Sequence, residues 1–367
     1  MSVELNCPSC GASVRMRKGR DQIVCTYCGS TVLVPPEYSA GSAPGAQTAS
    51  KGCSMALITG IALFIVAGAG VLVFFLTARE GTVRESVEVL IAGSGSGSVP
   101  VLEFGGEGIN PGRFEDPRTV AVDADGHIYV GEYLGGRIQV FDSGGEFIDQ
   151  WVIEKEDVYL AGMGCSRDGK LYLPYSGDIW IHDGMTGAVE GVLRHPEGYG
   201  FEDVTVAPDG RVIAAWSHFT DDIVRFDRNG EIDLVITEAI SGQTGDSELD
   251  MHVAADGDGN IYVLGTFNSA VFKFDSYGTF RNRFGSGGDL PGSFSAPGAI
   301  AADARGRVLV SDFDGVMIFD SNGTYAGTIP VDGFVFGLAV DDDNMMYAVS
   351  STSMVYVFDL DESAEGR

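Results

Sequence analysis

The sequence predicts an all-β fold, a six-bladed β-propeller, and three observations carry that reading. A turn with Gly or Asn recurs six times, at Gly126, Gly169, Gly210, Gly259, Gly306 and Asn344. An aromatic-Asp pair follows each turn: Phe141-Asp142, His182-Asp183, Phe226-Asp227, Phe274-Asp275, Phe319-Asp320 and Phe358-Asp359. The two landmarks run in phase, with steps between successive Asp residues of 41, 44, 48, 45 and 39. A period of roughly 40–50 residues with all-β content marks propeller blades. Helical repeats would instead show apolar residues at i, i+3 and i+4.

Within one period, residues 120–147 (VAVDADGHIYVGEYLGGRIQVFDSGGEF) read as three short strands joined by Gly-containing turns. Asp-Gly and Gly-Gly between β-branched and aromatic runs favour hairpins, because the tightest turns need positive φ. A fourth, outer strand follows the aromatic-Asp pair in copies one to five, near 146–152, 188–193, 231–236, 279–284 and 324–329. The sixth copy runs out into an acidic tail, so its outer strand is expected from 99–104 (VPVLEF), ahead of copy one. This would close the ring and leave no open edge.

The copies resemble NHL repeats. The likeness rests on VDADGHIYVGEYLGGRIQVFDSGGEF, on the core Arg137–Phe141, and on the approach segments FGGEGINPGRFEDP (104–117) and FGSGGDLPGSFSAP (284–297). It covers about residues 100–360; copies two and three depart from it, with Asp178 and Asp222 in the place of Arg137. The resemblance implies a ring of blades. In a few such propellers it implies a lyase or esterase using a metal held at the axis by several histidines. The Gly-His and Trp-Asp marks of the WD type are absent.

The chain has 367 residues, a net charge of −29 and a mean hydropathy of +0.10, high for so charged a sequence. Residues 1–52 hold five basic and three acidic side chains, whereas 81–367 hold 17 basic against 48 acidic. So acidic a propeller repels nucleic acid and anionic lipid. It fits either plain solubility or a cationic partner.

Residues 1–34 are organised by Cys7-Pro-Ser-Cys10 and Cys25-Thr-Tyr-Cys28, each followed by Gly. Four thiolates on two such knuckles bind one zinc tetrahedrally, which predicts a structural zinc ribbon. Its basic residues Arg15, Arg17, Lys18 and Arg20 make either a solvated face or a nucleic-acid or protein contact. A linker (35–52) follows. Then 53–78 contains 22 nearly uncharged residues, 55–76, which would span about 33 Å as a helix. The expectation is a single-pass cell-membrane protein, with a flexible tether at 79–98 and the propeller at 99–362. The thiolate site prefers a reducing compartment, which puts the N-terminus in the cytoplasm and the propeller outside.

Sites in this architecture gather at the axial mouth, on loops leading into the innermost strands. Aligning the copies puts Arg118, Glu202, Asp203, Asp250 and His252 there. Three acids and one histidine suit a cation or a polar ligand; satisfied mouth residues are the plain alternative. His252 is the one histidine at these positions, and no Ser-His-Asp order, phosphate loop or dinucleotide fingerprint is visible. The expected function is a binding or scaffold protein whose propeller takes a protein, peptide or glycan. A metal-dependent lyase or hydrolase is the rival.

Overall fold

The computed structural model describes residues 99–361 except 199, 218 and 219, together with four short strands near the N-terminus. The chain divides into two compact units, Met1–Ile91 and Ala92–Arg367.

In the first unit, β1 (Glu4–Asn6) pairs with β2 (Ser13–Arg15), and β3 (Gln22–Val24) with β4 (Thr31–Leu33), both antiparallel. Each hairpin spans one C-x-x-C pair in the sequence, since Cys7 follows Asn6 and Cys25 follows Val24. The four cysteines themselves lie outside the described residues.

The second unit holds six four-stranded antiparallel sheets, so the expected all-β six-bladed propeller stands. The innermost strands are β6 (Pro117–Val122), β10 (Gly164–Cys165), β14 (Phe201–Val206), β18 (Met251–Ala255), β22 (Ile300–Ala302) and β26 (Val335–Val340). They neighbour one another in order around the axis, and β26 lies against β6. The ring closes as the sequence requires. β5 (Leu102–Gly105) pairs with β28 (Met354–Asp359), with Phe104 opposite Val355 and Leu102 opposite Val357.

The apolar core is six wedges, one between each pair of adjacent blades. Ile213, Ala215 and Ile223 of blade three meet Val253, Val263 and Phe272 of blade four, and the other five clusters repeat the arrangement. Strands buried on both faces lose the usual alternation, so Ile128–Glu132, Val212–Trp216, Ile261–Gly265 and Val308–Asp312 are buried throughout.

The recurring landmarks have structural jobs. Gly126, Gly169, Gly210, Gly259 and Gly306 have φ between 76° and 82°, and Asn344 has 61°, a region costly for other residues. The Asp of the aromatic-Asp pair caps the next turn. Asp142 Oδ1 accepts the amides of Gly144 and Glu146 at 2.9 Å, and Asp227, Asp275 and Asp320 do the same two and four residues on. These acids serve the fold and are not free for chemistry.

The membrane placement expected from the sequence is corrected: among the described residues no helix is long and apolar enough to cross a membrane. The described fold is nearly all β, with one short helix, Ser241–Thr244, and its large apolar side chains are mostly spent between blades. The apolar stretch 55–76 lies outside the described residues, as do the linker and the tether.

Candidate functional site at the propeller mouth

In a four-stranded antiparallel blade the turn between strands two and three shares one end with the segment leading into strand one. The other two turns share the opposite end. The first end is the mouth.

There the sheet register is broken in three blades. Bulges fall between Pro117 and Thr119, Phe201 and Asp203, and Val335 and Gly337. Each throws one residue out of the ladder: Arg118, Glu202 and Phe336. Bulges re-aim side chains, and here they turn these three toward the mouth. Blade four has no bulge, and its corresponding residue, Met251, is buried.

The structure brings Glu202, Asp203, Asp250 and His252 together on blades three and four. His252 Nδ1 is 3.5 Å from Asp203 Oδ2, and its Nε2 is 3.7 Å from Asp250 Oδ1. Asp203 Oδ2 also accepts the Val253 amide at 2.9 Å. Asp250 Oδ2 accepts the Thr266 hydroxyl at 3.0 Å. Glu202 accepts the Ser217 hydroxyl through Oε1, while Oε2 is shut off from solvent with no hydrogen-bond partner among the described residues.

Burial alone would lower the His252 pKa. The hydrogen bond and charge of Asp203, then the charges of Asp250 and Glu202, reverse this and hold it above the ordinary imidazole value. Glu202 is pushed up from the usual carboxylate range, first by burial and then by Asp250 and Asp203, against the opposing pull of Ser217 and His252.

Arg118 sits apart, on blade one. Its guanidinium lies 4.0 Å from the Tyr133 ring centre and 4.8 Å from that of Phe336, with Nε donating to Asp116 Oδ1 at 3.0 Å. Such a sandwiched arginine is held in place.

Two cavities open at this end. An axial channel of about 460 Å³ is lined by the small column Ala121, Gly164, Thr205, Ala254, Ala301 and Ala339, with Arg118, Asp203 and His252 at the mouth. A second cavity, about 540 Å³, lies between blades two, three and four. It brings Tyr159, Leu249 and Phe267 to Glu202, Asp250 and His252. Among the described residues no group of three or more His, Cys, Asp or Glu side chains is arranged to hold a metal ion. The mouth acids turn instead to His252, Ser217, Thr266 and the Val253 amide.

Sequence reasoning missed the apolar half of this site. Exposed large apolar residues crowd the mouth end. The turns between second and third strands carry Leu134, Phe267 and Phe313, and the segments leading into blades one, two, four and five carry Ile109, Tyr159, Leu249 and Leu290. The turns at the opposite end carry one such residue, Tyr277. An aromatic at a turn tip, as in Thr266-Phe267-Asn268, was the available signal. The loop bearing Phe267 is held by buried Glu248, which accepts the amides of Leu249, Asp250, Phe267 and Asn268.

No family model and no curated protein matches the chain. Solved structures do. A structure described as a candidate gluconolactonase aligns with a TM-score of 0.55 at 13% identity, covering 71% of this chain and 93% of its own. The gluconolactonase from Xanthomonas campestris, described as important in glucose secondary metabolic pathways, aligns at 0.52 and 17%, covering 72% and 97%. At such identities the likeness establishes the shared propeller fold.

Proposed function

We propose that the propeller is a binding module whose mouth face docks a positively charged protein or peptide segment. The observation that carries this is the uneven distribution of exposed apolar side chains on loops and entry segments: seven at the mouth end, against Tyr277 on the far turns and Val99 and Val101 ahead of β5. Scattered surface apolar residues need no explanation, but a collection on one face marks an interaction surface. The acidic balance of the propeller supplies the charge preference and speeds encounter with a cationic partner. The test is a peptide selection on the full chain. Selected peptides should lose binding to a Leu134→Ser/Phe267→Ser/Phe313→Ser variant and keep it on Tyr277→Ser. Equal binding to all three proteins would sink the proposal.

A second reading is favoured by one observation, the histidine flanked by two carboxylates beside a channel, in a fold shared with gluconolactonases. Here His252 is a general base, Asp203 orients its Nδ1, and Arg118 offers a fixed positive charge to an oxyanion. The reaction class is hydrolysis of a small lactone or ester. Titration of acid released from glucono-1,5-lactone, with and without divalent cations, tests it. Release that is absent, or unchanged in His252→Gln, removes this reading.

For residues 1–34 we propose a structural zinc ribbon held by Cys7, Cys10, Cys25 and Cys28. Two paired hairpins, each joined by one C-x-x-C segment, support it. A unit this small would draw most of its folding free energy from the metal. One zinc per chain is expected. Unchanged zinc affinity in Cys25→Ser would exclude the four-cysteine site.

A further inference from the structure

We propose that the cavity between blades two, three and four is a subsite for one alkyl-borne cation, a lysine or arginine side chain. The inference rests on the docking role of the mouth face and names the anchor that face would take. Three features converge. The cavity, about 540 Å³, is of ligand-binding size. Its lining contains two carboxylates, Glu202 and Asp250, and no lysine or arginine. Its walls include Tyr159 and Phe267, whose rings are exposed rather than buried between blades.

The carboxylates differ in a way that suits a cation. Asp250 has 54% of its side chain exposed, so a ligand reaches it without rearrangement. Glu202 has one oxygen occupied by Ser217 and the other unpartnered among the described residues. A burial-penalised carboxylate gains most from a new counter-charge, because the desolvation cost is already met in the free protein. His252 supplies at most one positive charge against the three carboxylates around it, Glu202, Asp203 and Asp250, and its shorter contact is to Asp203 on the axial side. Carboxyl groups therefore outnumber the one imidazole at the site. Aromatic walls suit the methylene stem and favour a cation over a neutral group of the same shape.

The experiment titrates the full chain with Nα-acetyl-lysine N-methylamide, its arginine counterpart and its norleucine counterpart. Binding is followed by NMR on ring signals of tyrosine and phenylalanine, assigned with Tyr159→Phe and Phe267→Leu. The lysine or arginine probe should move the Tyr159 and Phe267 signals saturably. The uncharged norleucine probe should bind at least about tenfold more weakly, the loss expected for one charge-assisted contact. Glu202→Gln and Asp250→Asn should each weaken the cationic probe by about the same factor. Equal binding of norleucine, unchanged binding in both variants, or no shift of either ring with any probe would overturn the subsite. Mouth-face peptides that bind equally well after every Lys and Arg is replaced by norleucine would also overturn it, and would leave the docking role standing.

Discussion

Asp203 of blade three accepts the backbone amide of Val253 in blade four, 2.9 Å away. The contact ties two adjacent blades at the mouth, where bulges have broken the regular ladder. Asp203 is therefore a joint as well as a mouth residue. Its removal should leave the Val253 amide without that partner, at a cost of about 1–3 kcal/mol. Asp250, half exposed, should tolerate alanine within about 0.5 kcal/mol. Urea unfolding of Asp203→Ala and Asp250→Ala checks the contrast. Equal midpoints would mean that the bond between blades contributes nothing.

Two contributions to stability should fall with rising pH, each in its own window, against the opposite contributions of groups whose pKa values are lowered, such as Asp227, Asp275 and His182. The folded state holds the protons of Glu202 and His252 more tightly than the unfolded chain does, because both pKa values are raised. Where the native state binds more protons, stability decreases as pH rises. The Glu202 contribution is fully present below its unfolded value, about 4.3, and is lost as pH climbs through its folded value. The His252 contribution behaves likewise from about 6.5 upward. His252→Gln should act chiefly on the upper window and Glu202→Gln chiefly on the lower, each shifting the other's window because the two groups interact. An unchanged pH profile in His252→Gln would show that the carboxylates do not hold its proton.

The fold was legible because the residues that set the period also hold the turns. Gly126 and its counterparts require positive φ, and Asp142 and its counterparts cap backbone amides, so each landmark marks one place in the blade. The charged half of the mouth was legible by aligning copies. Thr119, Asp203, His252 and Gly337 do occupy matching ladder positions, opposite Gly131, Ala215, Leu264 and Val349. Arg118, Glu202 and Phe336 could be aligned, but their bulges could not be foreseen, since a bulge follows from inter-strand register rather than local sequence. The apolar rim was not legible either. Leu249 and Phe267 meet His252 across loops whose shape is set by buried Glu248, a contact between segments about 20 residues apart.

Ring closure predicts a global effect from a terminal segment. β5 supplies the fourth strand of the sixth blade, and Phe104 packs 4.7 Å from Phe141 of blade one between ring centres. Deleting 99–105 should expose the edge of β28 and open the wedge between blades six and one. A deletion of 93–98 should have little effect. Hydrogen exchange should show lost protection along Met354–Asp359 and in β6 for the first deletion only. Protection confined to normal levels in both would mean that the ring is held without its closing strand.

Gly162 gives the last prediction, since it separates packing from backbone strain. A Cβ built on Gly162 would stand 2.4 Å from Asp203 Oδ1, 3.0 Å from Asp203 Cα and 3.1 Å from the Glu202 carbonyl oxygen. The severe contact is with the Asp203 carboxylate, which must move aside, and the two backbone atoms must then give by a few tenths of an ångström. Its φ is not among the positive values, so alanine meets no conformational penalty there. The cost of Gly162→Ala is then overpacking, about 1–3 kcal/mol, and it falls on the contact between blades two and three. Gly191, on the outer strand Val189–Leu193, is the control. Its nearest neighbour is the Ile181 side chain at 3.4 Å, ordinary contact distance, and its φ is likewise unexceptional. Gly191→Ala should be neutral or stabilising by a few tenths of a kcal/mol, about what reduced chain entropy gives. The two variants should also differ at the mouth. Pushing Asp203 aside lengthens its contacts to Val253 and His252, so the His252 pKa should drop toward about 6.5 in Gly162→Ala. It should hold its raised value in Gly191→Ala. Imidazole titration by NMR reads this directly. A normal unfolding midpoint with an unshifted His252 in Gly162→Ala would show that blades two and three do not meet at the mouth as described.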